Sequence, residues 1–123
     1  MKKKIYFQNV FDQQLEVLVI GDLKKNTPTV VLLHEGLGSL EMWKGIPEEL
    51  FKELDLNIFA YSRAGYGKSS IINLPRPINY MNLEAEKYLP KLLSEFNLNK
   101  VFLLGHSDGA TIAAINSTLD NNN

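Results

Sequence analysis

No cysteine occurs among the 123 residues. That excludes a disulfide framework and thiolate metal sites, and it fits a reducing compartment. Charge of one sign is not in excess either: 13 basic residues face 14 acidic ones, for a formal net charge of −1. Composition therefore gives no electrostatic case for nucleic acid or an acidic membrane as a partner. Long hydrophobic runs are missing as well. The opening MKKKIYFQNV starts with positive charge, as a secretion signal would, but Gln8 and Asn9 interrupt the apolar stretch well short of a signal core. No run is long enough to span a bilayer, and a cytoplasmic location is the expectation. Histidine is scarce: His34 and His106 are the only two. Histidines and carboxylates form no ligand-spaced cluster, so neither a metal nor another cofactor is expected.

What is present suffices for one modest domain with a core. The segment IYFQNVFDQQLEVLVIGD holds two strand-like runs around the polar turn Asp12-Gln13-Gln14, which predicts a hairpin. TVVLLHE (29–35) is a continuous β-branched and leucine run, the pattern of a strand buried on both faces. A loop and a helix follow, with Pro47 in the first turn and Leu50, Phe51 and Leu54 on one face. NIFAYS (57–62) reads as the next buried strand. NLEAEKYLPKLLSEF (82–96) reads as a helix carrying Leu89, Leu92, Leu93 and Phe96 at helical spacing, kinked at Pro90. KVFLLG (100–105) reads as a third buried strand, and a helix follows from Ser107. The alternation predicts an α/β fold: a mainly parallel sheet with an N-terminal hairpin and helices on both faces. Ligand chemistry in that architecture gathers at the carboxyl ends of the strands, where the three glycine-bearing loops fall.

The most informative of these loops is Gly105-His106-Ser107-Asp108-Gly109. It matches G-x-S-x-G in the strand-to-helix context that a nucleophile elbow requires. The chain must turn sharply there, with small residues where backbone crowds backbone. Ser107 would then stand clear of the sheet at a helix N-terminus, where backbone N–H groups favour developing negative charge. The plainer reading makes Ser107 a helix N-cap. A second loop, LLHEGLGS (32–39), is placed to supply one of the two N–H donors of an oxyanion hole. Gly36 is the choice, with Leu37 as the alternative, and the other donor is the backbone of Asp108. The third loop, YSRAGYGKSS, imitates a phosphate-binding loop at Gly67-Lys68-Ser69. That loop needs a glycine where Ser62 stands and a helix where IINLPRPINY has two prolines. A dinucleotide fingerprint fails at Ser70.

Together, VVLLHEGLGSLEMW, IFAYSRAGYGKSS and VFLLGHSDGATIAA resemble the oxyanion strand and loop, the Arg-x-Gly-x-Gly-x-Ser turn and the elbow of the α/β-hydrolase fold superfamily. The resemblance covers the chain to about Ile115. It implies a serine nucleophile, Ser107, and acyl transfer to water from a small ester- or amide-like substrate. Two details depart from the pattern. Ser62 stands where the family often has aspartate, and the oxyanion loop begins His34-Glu35-Gly36 rather than His-Gly.

The resemblance also implies an acid after a later strand and a catalytic histidine later still, and no residue here matches them. Beyond Asp108 the only acidic residue is Asp120, in the polar tail 116–123. The chain therefore reads as a single, partial hydrolase domain (1–123), expected to be almost inactive alone. It would be a truncated product or half of a split hydrolase. The alternative is a non-catalytic binding or interaction module. His34 is expected to order its loop. His106 should point away from Ser107, because neighbours on a strand face opposite ways. The strand at 100–104 would have an unpartnered edge, which predicts self-association or pairing with a complementary C-terminal half.

Overall fold

The computed structural model describes residues 2–36, 38–72 and 76–119. Five strands form one mixed sheet in the order β1-β2-β4-β3-β5. β1 (Lys3–Val10) and β2 (Gln13–Ile20) make the expected hairpin. Its turn is tighter than the composition suggested. Gln13 already pairs with Val10, so Phe11 and Asp12 alone make the connection, and Phe11 takes a φ of 54°. β2 attaches antiparallel to β4 (Asn57–Tyr61). β3 (Thr29–Leu33) lies between β4 and β5 (Val101–Gly105), parallel to both. The parallel part is thus the strand set β4-β3-β5, each member preceding a loop at the same end of the sheet.

The apolar runs sort by the two-residue period onto two faces. Val17, Val19, Val31, Leu33, Phe59 and Tyr61 pack with Leu89, Leu92 and Ile112. Leu18, Ile20, Val30, Leu32, Ile58 and Ala60 pack beneath Trp43, Leu50 and Phe51. The second face is covered by a 3₁₀ turn (Leu40–Trp43) and α1 (Ile46–Leu54), whose first turn holds Pro47 as expected. Leu54 points outward instead, half-exposed. Each fully buried aliphatic or aromatic side chain contributes about 1.5–3 kcal/mol, and β3 and β4 supply most of them in the sheet centre.

The other face carries a broken helix and α4 (Asp108–Ser117). The broken helix begins at Tyr80, slightly before its expected start. It comprises α2 (Tyr80–Leu83), a π turn (Glu84–Tyr88) and α3 (Leu89–Glu95). Pro90 explains the break. Its ring would collide with the carbonyl of Glu86 in a regular α-helix, and the wider π turn relieves that clash.

β5 departs from its expected burial. It is the last strand of the sheet among the described residues, and Phe102 (58% exposed) and Leu104 (44%) project from the α1 face. No helix among the described residues is long and apolar enough to cross a membrane.

Candidate active site

Ser107 stands between β5 and α4 with φ 57° and ψ −115°. A non-glycine residue pays roughly 1–3 kcal/mol to hold such a backbone. The flanking glycines show why the turn is this sharp. A Cβ on Gly105 would lie 2.3 Å from the Gly109 carbonyl carbon and oxygen, and one on Gly109 would lie 2.0 Å from the Leu33 carbonyl oxygen. Strand, elbow and helix are pressed against each other and against the end of β3. The backbone N–H of His106 fastens the elbow there by donating to the Leu33 carbonyl at 3.0 Å. An N-cap serine would have extended backbone and would accept a bond from the first helical turn. Ser107 has neither the backbone angles nor a side-chain cap bond, and it is exposed.

The loop after β3 reaches the same place. Gly36 faces Asp108 so closely that a Cβ added to it would sit 2.6 Å from Asp108 Oδ2. A side chain at 36 would therefore displace the Asp108 carboxylate. Leu37 lies outside the described residues. The Asp108 carboxylate also accepts a 2.8 Å hydrogen bond from the Tyr80 hydroxyl, and that bond is the chief cause of the raised Tyr80 pKa.

Both histidines are engaged elsewhere. His34 is buried. Its Nε2 accepts the Arg63 backbone N–H at 3.0 Å, so Nδ1 carries the proton and donates to the Glu35 carbonyl at 2.7 Å. Burial first, and the Arg63 charge second, lower its pKa to about 4. His106 turns its Nδ1 to Glu35 Oε1 at 3.0 Å. Among the described residues no hydrogen bond joins either ring to Ser107.

Arg63, also buried, donates its guanidinium to the carbonyls of His34 (2.6 Å) and Glu35 (3.1 Å) and so fixes the path of the loop after β3. Tyr66 packs edge-on against the His34 ring, and its own ring lies under both Arg63 and Arg76.

The turn that imitates a phosphate loop is spent on structure. The buried Glu16 carboxylate accepts the Ser62 hydroxyl at 2.7 Å and the Lys68 N–H at 3.0 Å. Ser62 in turn accepts the Leu40 N–H at 2.7 Å. Ser69 bridges the Glu16 N–H and the Ser62 carbonyl. A Cβ on Gly67 would strike Glu16 Oε1 at 2.2 Å. Glu16 therefore brings a carboxylate to the Ser62 hydroxyl from a different strand.

The family model for the alpha/beta hydrolase fold matches residues 28–116, from just before β3 to the end of α4. The chain belongs to the α/β-hydrolase family. A proline iminopeptidase of Lactobacillus acidophilus is 34% identical over 97 residues, which are 79% of this chain and 32% of that protein. An abhydrolase domain-containing protein of Schizosaccharomyces pombe is 26% identical, over 72% of this chain and 31% of that one. Among solved structures, a bacterial membrane phospholipase A superposes with a TM-score of 0.79 at 20% identity, covering 94% of this chain and 35% of that one. A laboratory-evolved potato epoxide hydrolase does so with a TM-score of 0.73 at 22% identity, covering 92% and 34%. At these identities the structural matches establish the fold alone. This hydrolase chain spans about a third of the length of the curated relatives it matches.

Residues that the sequence did not single out here are Tyr80, Arg76 and Glu16. Tyr80 sits at a helix start beyond a proline-rich loop, and Glu16 lies in the hairpin, so neither belongs to the local patterns that mark the elbow.

Proposed function

We propose that the chain carries the nucleophile side of an acyl-transfer site. Ser107 is the nucleophile, and the backbone N–H groups of Gly36 and Asp108 are the oxyanion donors. The observation that supports this best is the exposed Ser107 in strained backbone at the head of α4, with no capping role to explain it. In the reaction the Ser107 hydroxyl attacks a substrate carbonyl and loses its proton to a base. The carbonyl electrons move onto oxygen, facing the two N–H groups. Collapse expels the alcohol or amine, which takes up a proton, and water then releases the acid from the acyl-serine.

The base has to come from outside the described residues, because His34 and His106 are both committed to other partners. Loss of the triad histidine costs about a millionfold in kcat in a complete serine hydrolase, so turnover by this chain alone is expected to be barely above background. A dissolved base can stand in. The test is to incubate the chain with an activated acetyl ester and imidazole, then locate the acetyl group by peptide mass spectrometry. The proposal expects acetyl on Ser107, increasing with imidazole and absent in Ser107→Ala. Acetylation confined to lysines and unchanged by Ser107→Ala would refute it. Ester binding without acylation would favour the non-catalytic module.

A further inference from the structure

We infer that Tyr80 is a positioning residue of the proposed acyl-transfer site: its hydroxyl holds the Asp108 carboxylate off the Gly36 N–H and so keeps that donor free for the oxyanion. The inference rests on the roles proposed above for Ser107, Gly36 and Asp108. The difficulty that Tyr80 resolves is set by the sequence. Asp108 offers its backbone N–H to the oxyanion, yet the same residue carries a negative side chain. That side chain stands in the first turn of α4, where backbone N–H groups attract carboxylates. It is also a strong competitor for Gly36, because a hydrogen bond from an N–H to a charged acceptor outweighs a neutral one. A Cβ added to Gly36 would lie 2.6 Å from Asp108 Oδ2 and 3.1 Å from its Cγ, so the carboxylate already rests against the residue whose donor it would take. A bond between them would fill half of the proposed oxyanion hole before any substrate arrived.

The carboxylate is tied elsewhere instead. Asp108 Oδ2 accepts its hydrogen bond from the Tyr80 hydroxyl at 2.8 Å. Among the described residues, neither the Gly36 N–H nor the Asp108 N–H meets an acceptor. Tyr80 is itself held in place from two sides. Its backbone N–H donates to the Pro77 carbonyl at 3.1 Å, at the start of α2. The Arg76 guanidinium lies 5.6 Å from its ring centroid and donates to the Ala64 carbonyl at 3.3 Å. The neighbouring acid of the loop after β3 is occupied too, with Glu35 Oε1 at 3.0 Å from His106 Nδ1. Tyr80 thus acts through Asp108 and touches neither the nucleophile nor the reacting carbonyl.

The test measures imidazole-dependent acetylation of Ser107 in the full chain and, on the same proteins, the Gly36 amide proton by NMR. Tyr80→Phe keeps the ring and removes only the hydroxyl. In this variant the Gly36 amide proton should move downfield and exchange more slowly with solvent, as an N–H bonded to a carboxylate does. Acetylation of Ser107 should fall about tenfold or more, within what loss of one oxyanion donor costs. Added to Asp108→Ala, Tyr80→Phe should cost nothing further, because no carboxylate is left to restrain; a general loss of packing would cost the same in both backgrounds. An unmoved Gly36 amide, undiminished acetylation in Tyr80→Phe, or an equal loss with and without the Asp108 side chain would each overturn the inference. Absence of Ser107 acetylation in the wild type would overturn the nucleophile reading instead, and the Gly36 signal would still decide where the carboxylate goes.

Discussion

His34 and Arg63 hold each other reciprocally. The Arg63 backbone N–H donates to His34 Nε2 at 3.0 Å, and the Arg63 guanidinium donates back to the His34 carbonyl at 2.6 Å. This pair joins the ends of β3 and β4, and the loop proposed to hold the oxyanion starts from it. A protonated His34 could not accept the Arg63 N–H, and it would place a second positive charge beside a buried one.

The pair therefore makes stability depend on pH. The His34 pKa falls from 6.5 to about 4 on folding. Because the folded value is the lower one, the unfolded chain binds the proton first. The His34 contribution is complete above pH 6.5 and is lost as pH falls toward 4, by roughly 3 kcal/mol at the limit. Urea unfolding at stepped pH should show this loss, and a His34→Gln variant should lack that component. An equal acid slope in both proteins would contradict the assignment.

The elbow glycines make a second prediction. Gly109→Ala drives a methyl to 2.0 Å from the Leu33 carbonyl oxygen, a backbone atom that cannot swing away, whereas Gly45 has open space around it. Gly109→Ala should cost several kcal/mol or prevent folding, on the order of the worst single substitutions. Gly45→Ala should stay within about 1 kcal/mol of the wild type. Thermal unfolding of the two variants side by side decides the matter. Similar melting temperatures would mean that the elbow is not packed against β3.

Much of this arrangement was legible in the chain because local rules govern it. The runs 29–33 and 57–61 are buried throughout and apolar after their first residue, since both faces of β3 and β4 are covered. Gly105 and Gly109 bracket Ser107 because backbone contacts demand it. Other features were illegible for a physical reason. β5 has the same apolar look as β3, yet two of its five residues are exposed and none is fully buried, because periodicity reports a strand's faces and not its neighbours. The departure at Ser62 appeared to remove a carboxylate, but Glu16, remote in sequence, brings one to the Ser62 hydroxyl. The Tyr80–Asp108 bond likewise joins segments that only the folded sheet brings together.

Glu84 supplies a third prediction. It lies buried in the π turn, accepts the Tyr61 hydroxyl at 2.6 Å, and has its pKa raised from 4.5, chiefly by loss of water around the carboxylate. The folded state thus binds this proton more tightly than the unfolded chain does. Its contribution is complete below the ordinary value and is lost as pH rises through the raised one. Glu84→Gln keeps an acceptor for Tyr61 and removes the charge. The variant should match the wild type in mild acid and exceed it in stability at neutral to basic pH. If urea midpoints of the two proteins run parallel from pH 5 to pH 8, the carboxyl is not titrating as the burial argument requires.

The last prediction separates strain from chemistry at Ser107. Its φ of 57° with ψ −115° burdens any residue with a Cβ and scarcely burdens glycine. Ser107→Gly should therefore stabilise the fold by about 1 kcal/mol, while Ser107→Ala, which keeps the Cβ, should leave stability nearly unchanged. Both remove the hydroxyl, so both should abolish imidazole-dependent acetylation at position 107. A protein in which glycine and alanine behave alike in unfolding would carry no strain at the elbow. The exposed hydroxyl would then need another explanation for its place at the head of α4.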